Sequence, residues 1–128
     1  MVGRHPLSRT AHSAAQIESE VKLQIPLYML VLRDLVGVEP LGGLYQPLAG
    51  ERKARGLLRS SAKEDGVPGY SRNDYVDEED FWARVGRAQD VAREIVGRMR
   101  AGDVNHDPRD GTCPSWCQLA PMCRVKRA

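Results

Sequence analysis

The sequence has few aromatic residues, no long hydrophobic run and little net charge. Aromatic residues make up 5% of its 128 residues, and the longest apolar stretch, from Ile25 to Leu32, stops at Arg33. That stretch is too short to cross a bilayer as a helix. The N-terminus, MVGRHPLSRT, contains no apolar core of a secretory signal. We therefore expect a cytoplasmic protein with no membrane partner.

The overall charge does not by itself indicate a nucleic-acid binder, because it is only +2. Hydrophobic residues at 41% and charged residues at 28% are typical of a globular domain, and the chain is long enough to bury a core. Basic residues cluster at positions 52–59 and 124–127. Each cluster is either ordinary solvated surface or a contact for nucleic-acid phosphates.

Cysteine is confined to the C-terminal segment GTCPSWCQLAPMCR, as Cys113, Cys117 and Cys123. An odd number of thiols in a reducing compartment argues against disulfides. Three clustered thiolates suit zinc or an iron–sulfur cluster. His106 could complete a zinc site, although its spacing matches no common zinc pattern, whereas a 4Fe–4S cluster can take its fourth cysteine from far away in sequence. Three unliganded structural thiols are the third interpretation.

A helix is predicted to begin at Ser13, whose side chain can form a capping box with Gln16. Pro26 predicts a kink or a break in this helix because it removes a backbone hydrogen bond. Gly37 is a natural C-cap. Six residues spaced four and three apart are expected to share one helical face: Ile17, Val21, Gln24, Tyr28, Val31 and Leu35.

A hairpin is predicted after this helix. Its first strand lies within residues 38–48, the turn is at Ala49-Gly50, and the second strand covers about residues 54–59. Pro47 implies a sheet edge or the end of the ladder. Residues 60–75 are expected to form a flexible loop.

A long amphipathic helix is predicted from Glu78 to Arg100, with Asp77 as its N-cap and Gly102 at its end. Its apolar stripe is expected to pack against a core. The stripe consists of Phe81, Val85, Ala88, Ala92, Ile95 and Met99.

Two motifs, in this order, carry a family resemblance. The first helix contains VKLQIPLYML, with Gln24-x3-Tyr28, which is followed by GGLYQPL and then by the three-cysteine signature. Together they resemble the C-terminal half of the PD-(D/E)XK nuclease domain of RecB and AddB proteins, over nearly the whole chain. The resemblance implies an α/β, restriction-endonuclease-like fold. Residues 1–102 would form a partial nuclease core and residues 103–128 a cysteine-rich iron–sulfur tail.

The resemblance also implies functional residues. Gln24 and Tyr28 would line the active site as supporting residues, since side chains four apart on a helix can point into the same cleft. Arg55 and Arg59 are weaker candidates for phosphate contacts. The ligands of a 4Fe–4S cluster whose fourth cysteine is missing would be Cys113, Cys117 and Cys123.

The metal-binding acids of the family are not found upstream of Gln24. The family holds Mg²⁺ with an Asp and with an acid two residues before a Lys, on strands that precede the Q-x3-Y helix. Glu20-Val21-Lys22 has the right letters but lies directly before Gln24, so it is not expected to be the catalytic pair. Met1–Arg4 resembles the far side of the turn after the family's lysine. We therefore expect that the chain starts after that lysine and that, by itself, it has no nuclease activity.

The sequence thus predicts the C-terminal segment of a Mg²⁺-dependent DNA nuclease of recombination or repair. Its partners would be DNA and a helicase domain or subunit. The alternative is a non-enzymatic zinc module, with His106 as a ligand, that contacts nucleic acid or protein. A further alternative is an accessory protein that keeps the nuclease scaffold for docking only.

Overall fold

The structure is a computed structural model, and it describes residues 11–50, 53–63, 71–103, 105 and 117. These residues form a mixed α/β arrangement with a small sheet. Its helices are α1 (Ala14–Ser19), α2 (Gln24–Val31) and α3 (Glu78–Arg100), and its strands are β1 (Gly42–Tyr45), β2 (Arg55–Arg59) and β3 (Tyr75–Val76). The chain divides into two compact units, Met1–Glu94 and Ile95–Ala128. The predicted division after residue 102 stays a prediction.

Helix α1 begins with the predicted capping box. The Gln16 backbone N–H donates to the Ser13 hydroxyl at 3.3 Å, and the Ser13 N–H donates to the Gln16 side chain at 2.9 Å. The helix ends after Ser19, because Val21 takes a left-handed conformation with φ 52°. The Lys22 N–H then donates to the Ile17 carbonyl at 2.8 Å, which completes a Schellman-type ending.

Helix α2 therefore starts afresh at Gln24. The break is at residues 20–23, before Pro26 rather than at it, so Pro26 lies in the first turn, where its missing N–H costs no helical bond. The prediction that six residues share one face is wrong, because the break separates Ile17 and Val21 from the other four. The helix continues as a π-helical turn over Leu32–Val36 and ends at Gly37 with φ 73°, as predicted.

The sheet has the order β1-β2-β3. Strands β1 and β2 are antiparallel, which confirms the hairpin, and Pro47 follows the edge strand β1. Strand β3 is parallel to β2 and begins within the segment for which the sequence predicts a flexible loop, so that prediction is wrong there. Its two residues are too few to show a pattern, and their pairing with β2 defines them as a strand.

Helix α2 packs closely on the hairpin at Gly43, and a second glycine, Gly56, lies close to the backbone of β1. A Cβ on Gly43 would lie 3.0 Å from the side chain of Ile25, and a Cβ on Gly56 would clash with the carbonyl oxygen of Gly43. The Gly43–Gly56 contact brings the backbones of β1 and β2 together without side chains between them. The start of α2 is thus held against one face of β1.

The core joins residues of α1, α2, β2 and α3. Helix α3 has the predicted bounds, and the Asp77 carboxylate caps it by accepting the Asp80 N–H at 2.8 Å. Its apolar stripe is buried only at Phe81 and Val85, so the expectation of continuous packing is wrong toward Ile95 and Met99, which are exposed. The core cluster consists of Ala14, Ile17, Ile25, Met29, Leu30, Leu57, Phe81 and Val85.

Among the described residues, no helix combines the length and the apolar character that a membrane span requires.

Candidate functional site

Gln24 and Tyr28 lie side by side at the start of α2. The Gln24 Nε2 donates to the Tyr28 hydroxyl oxygen at 3.3 Å. Both side chains are exposed, and Tyr28 keeps 57% of its surface accessible. Their backbones are one helical turn apart, which directs both polar groups to the same side of the helix. The structure therefore brings together the two residues that the sequence singled out.

Tyr45 approaches the same place from the end of β1. Side chains alternate along a strand, so Tyr45 shares the face of Gly43, which packs on Ile25. Burial raises the pKa of Tyr45 above its ordinary value of 10.0, a hydrogen bond with the Ile25 backbone lowers it in part, and the neighbouring phenol of Tyr28 raises it. Tyr45 is therefore a neutral hydroxyl beside Gln24 and Tyr28.

Sequence reasoning did not select Tyr45. The available signal was its place in GGLY, two residues after a glycine that leaves room for α2. The sequence alone does not show that β1 packs on α2, and without that contact the position of Tyr45 does not indicate a site.

His12 packs edge to face against the Tyr45 ring, with ring centroids 5.3 Å apart. Its Nδ1 is buried and has no hydrogen-bond partner in the described part of the chain. The Glu20 carboxylate lies 3.9 Å from this nitrogen and 3.3 Å from the Lys22 ammonium. The distance of 3.9 Å between His12 and Glu20 is too long for a hydrogen bond. The contact of His12 with Tyr45 is one of ring packing, and this packing orients the Tyr45 ring.

Glu20 and Lys22 lie in the turn between α1 and α2, on either side of the left-handed Val21. This is a helix ending and not a strand, and the expectation that these residues are not the family's catalytic pair stays a prediction. In the part of the chain that the structure describes, no three His, Cys, Asp or Glu side chains are grouped as metal ligands. Mg²⁺ prefers several oxygen ligands in octahedral geometry, so these residues do not fit a Mg²⁺ site.

Arg55 is committed to a buried carboxylate. Its guanidinium donates to Asp74 at 2.6 and 3.1 Å, and this hydrogen bonding is the main reason why the pKa of Arg55 is raised. Asp74 is 1% exposed and also accepts the backbone N–H groups of Ala14, at 3.1 Å, and Gly56, at 3.3 Å. The carboxylate thereby ties α1 to β2.

Arg59 is likewise paired. It donates to Glu78 at 2.5 Å, and it also donates to Glu39 and to the carbonyl oxygen of Pro40. The hydrogen bond from Arg59 lowers the pKa of Glu78, which also accepts from the Ser61 hydroxyl. A DNA phosphate would have to compete with carboxylates for Arg59, as it would for Arg55. Phosphate contact by either arginine stays a prediction.

The predicted metal ligands are mostly outside the described residues. This applies to Cys113, Cys123 and His106, whereas Cys117 is described and is a half-buried free thiol. The choice between an iron–sulfur cluster and zinc is therefore open to direct chemical measurement.

Comparison with known families agrees with the fold. A model of the PD-(D/E)XK nuclease superfamily matches residues 5–124. The chain therefore belongs to this superfamily, and its mixed α/β structure with a small sheet is consistent with the nuclease fold. No curated protein and no solved structure gives a significant match. The superfamily part of the sequence prediction is confirmed, while the RecB/AddB subgroup stays a prediction.

Proposed function

We propose that this chain is a DNA-contacting polypeptide of a RecB-like, Mg²⁺-dependent nuclease of recombination or repair. Superfamily membership supports a nuclease that acts on nucleic acid. The observation that carries the proposal is the exposed, hydrogen-bonded pair of Gln24 and Tyr28 at the start of α2. A helicase domain or subunit as a further partner belongs to the same proposal.

The chemistry of this pair suits a DNA backbone. A tyrosine hydroxyl is both a donor and an acceptor, and a glutamine amide offers both kinds of group. The Gln24 Nε2 fills an acceptor site on the Tyr28 oxygen, so the Tyr28 proton is directed elsewhere. A phosphate oxygen is the acceptor that such a donor would meet on DNA, and contacts of this kind fix the position of the strand.

DNA binding by the purified chain tests the proposal. We expect Gln24→Ala and Tyr28→Phe each to weaken binding of a fluorescent oligonucleotide by about tenfold, because a hydrogen bond to a charged group is worth about 1.5 kcal/mol or more. Gln89→Ala and Tyr75→Phe are matched controls on α3 and β3 and should bind like the wild type. Equal binding by all four variants would contradict the role of the pair.

According to this proposal, the chain by itself does not cleave DNA. Mg²⁺, when bound, activates water and offsets charge on the leaving oxygen, but the described residues do not fit a site for it. We predict that tag-free protein incubated with labelled DNA and Mg²⁺ leaves the DNA intact. Cleavage that requires Mg²⁺ and copurifies with the chain through successive columns would contradict this prediction.

We also propose that Cys113, Cys117 and Cys123 bind a 4Fe–4S cluster. The proposal is supported by three clustered thiolates in a chain that has no other cysteine. Protein purified without oxygen should contain iron and acid-labile sulfide, with broad visible absorption that Cys117→Ala reduces. Stoichiometric zinc without iron would instead favour the non-enzymatic zinc module with His106.

A further inference from the structure

Tyr45 has the geometry of a second ligand-binding hydroxyl. Its ring is fixed on one side by the edge-to-face contact with His12, at 5.3 Å between centroids. The side chain also packs against the buried core cluster that contains Ile25. Tyr45 lies on the strand face that packs on Ile25, which directly follows Gln24 and precedes Tyr28 by three residues. Tyr45 therefore lies on the side of β1 that faces the first turns of α2.

The protons of both phenols are left to donate. The oxygen of Tyr28 accepts from the Gln24 amide. Neither hydroxyl donates a hydrogen bond to any residue in the described ranges. The Tyr45 hydroxyl is half-buried, and a donor left there without an acceptor is costly. An acceptor that also reaches the exposed Tyr28 hydroxyl would serve both donors.

We propose that the hydroxyls of Tyr45 and Tyr28, together with the Gln24 amide, hold one phosphodiester group of a nucleic-acid strand. This inference rests on the proposed function and adds Tyr45 to the binding residues. Tyr45 is a binding residue in this scheme, and His12 is a positioning residue that acts through the Tyr45 ring.

The acceptor must be an anion with several oxygens. A phosphodiester has two non-bridging oxygens and can accept hydrogen bonds from both phenols at once. A single carbonyl group has only one oxygen and is less suited to this. Burial keeps the Tyr45 phenol protonated, and an ionised phenol would repel the phosphate. A metal ion is a poor alternative because protonated hydroxyls are weak ligands, and because Lys22 already lies 3.3 Å from the nearby Glu20 carboxylate.

The scheme predicts a specific salt dependence. The steep effect of salt on DNA binding comes from counterions that cationic side chains displace. Neutral hydroxyls displace none, so Tyr45→Phe should weaken binding by about tenfold at every salt concentration and leave the slope unchanged. By contrast, loss of a cation that contacts phosphate lowers the slope by about one.

The experiment measures binding of a fluorescent single-stranded oligonucleotide to the full chain by anisotropy across a series of salt concentrations. The variants are Tyr45→Phe, Tyr28→Phe and their combination, with Tyr75→Phe as the matched control. Urea unfolding of each variant checks that the fold is kept. Since both phenols serve one phosphate, the double variant should lose less than the product of the two single losses.

A second measurement does not require a variant. Nitration of tyrosines, read by mass spectrometry, should be slowed at Tyr45 and Tyr28 by saturating oligonucleotide and unchanged at Tyr75. Wild-type binding by Tyr45→Phe, or a changed salt slope, or nitration of Tyr45 that DNA does not slow, would overturn the inference. If Tyr28→Phe still weakens binding in that case, the proposed function survives. If the wild type binds no DNA, both fail.

Discussion

Asp74 is the residue whose loss the structure predicts to be most damaging to the fold. It is 1% exposed and accepts two hydrogen bonds from Arg55 and one each from the N–H groups of Ala14 and Gly56. Asp74→Ala would leave both backbone donors buried without an acceptor and would leave the Arg55 guanidinium unpaired. These groups lie in α1 and β2, so the change would loosen the contact between them.

The expected size of the effect follows from these contacts. Each buried donor left without a partner costs about 1–3 kcal/mol, and breaking a buried ion pair by removing one side costs about 3–5 kcal/mol. The terms overlap, and the Arg55 side chain is still 34% exposed and can recover some hydration. We therefore expect a loss of about 3–4 kcal/mol in the free energy of unfolding, a large part of the roughly 5–15 kcal/mol typical of a domain.

Urea unfolding followed by circular dichroism measures this loss, which should lower the midpoint by roughly 2 M. Asp90→Ala is the matched control. The Asp90 side chain is 77% exposed and pairs with Arg93 at 3.7 Å, and such exposed pairs contribute about 1 kcal/mol or less to stability. Replacing Arg55 and Asp74 together by apolar residues should cost less than the sum of the single changes. A loss below about 1 kcal/mol in Asp74→Ala would show that the Asp74 carboxylate does not hold α1 and β2 together.

Three further changes test other features of the fold by the same unfolding assay. Val21→Gly should raise the free energy of unfolding by about 0.5–1 kcal/mol, because a β-branched residue is strained at φ 52°. The opposite change, Gly102→Val at φ 78°, should lower the free energy of unfolding by about 1–2 kcal/mol. A lower free energy of unfolding in Val21→Gly would contradict the strain at Val21. Glu78→Gln should destabilise the protein at neutral pH, and the difference from the wild type should vanish as the pH falls well below 4.5. The reason is that the pKa of Glu78 is lowered in the folded state, so its favourable contribution is present above its ordinary pKa and is lost as the pH falls through the folded one; a difference that persists in acid would show another cause. Gly56→Ala should cost more than about 2 kcal/mol, because its Cβ would meet a carbonyl oxygen of the neighbouring strand, and near wild-type stability would mean that the hairpin can separate there.

The sequence was sufficient for elements whose signals are local. The bounds of α3 follow from the Asp77 cap, the acidic first turn and Gly102, and the start of α1 follows from the box of Ser13 and Gln16. The pairing of Gln24 with Tyr28 follows from helical spacing alone. Each of these features depends on residues within a few positions of one another.

The features that the sequence could not show depend on distant contacts or on strain. A left-handed ending is expected at glycine, so Val21 gave no sign that α1 stops there. A helix formed by residues 23–32 is apolar around nearly its whole circumference. The spacing of its apolar residues therefore does not predict that Tyr28 and Val31 are exposed while Met29 and Leu30 are buried. In the sequence, Asp74 is indistinguishable from an exposed loop carboxylate. Only its hydrogen bonds with groups of α1 and β2 show that it is buried.

In the proposed function, the surface that carries Gln24 and Tyr28 contacts DNA. Photocrosslinking to an oligonucleotide that contains 5-bromouracil, followed by peptide mapping, tests it most directly, because the reaction requires contact with a base next to the bound backbone. Crosslinks are expected in the peptide that contains residues 24–28, and unlabelled DNA should abolish them by competition. Specific crosslinks that map to α3 alone, with none at residues 24–28 or at Tyr45, would contradict it.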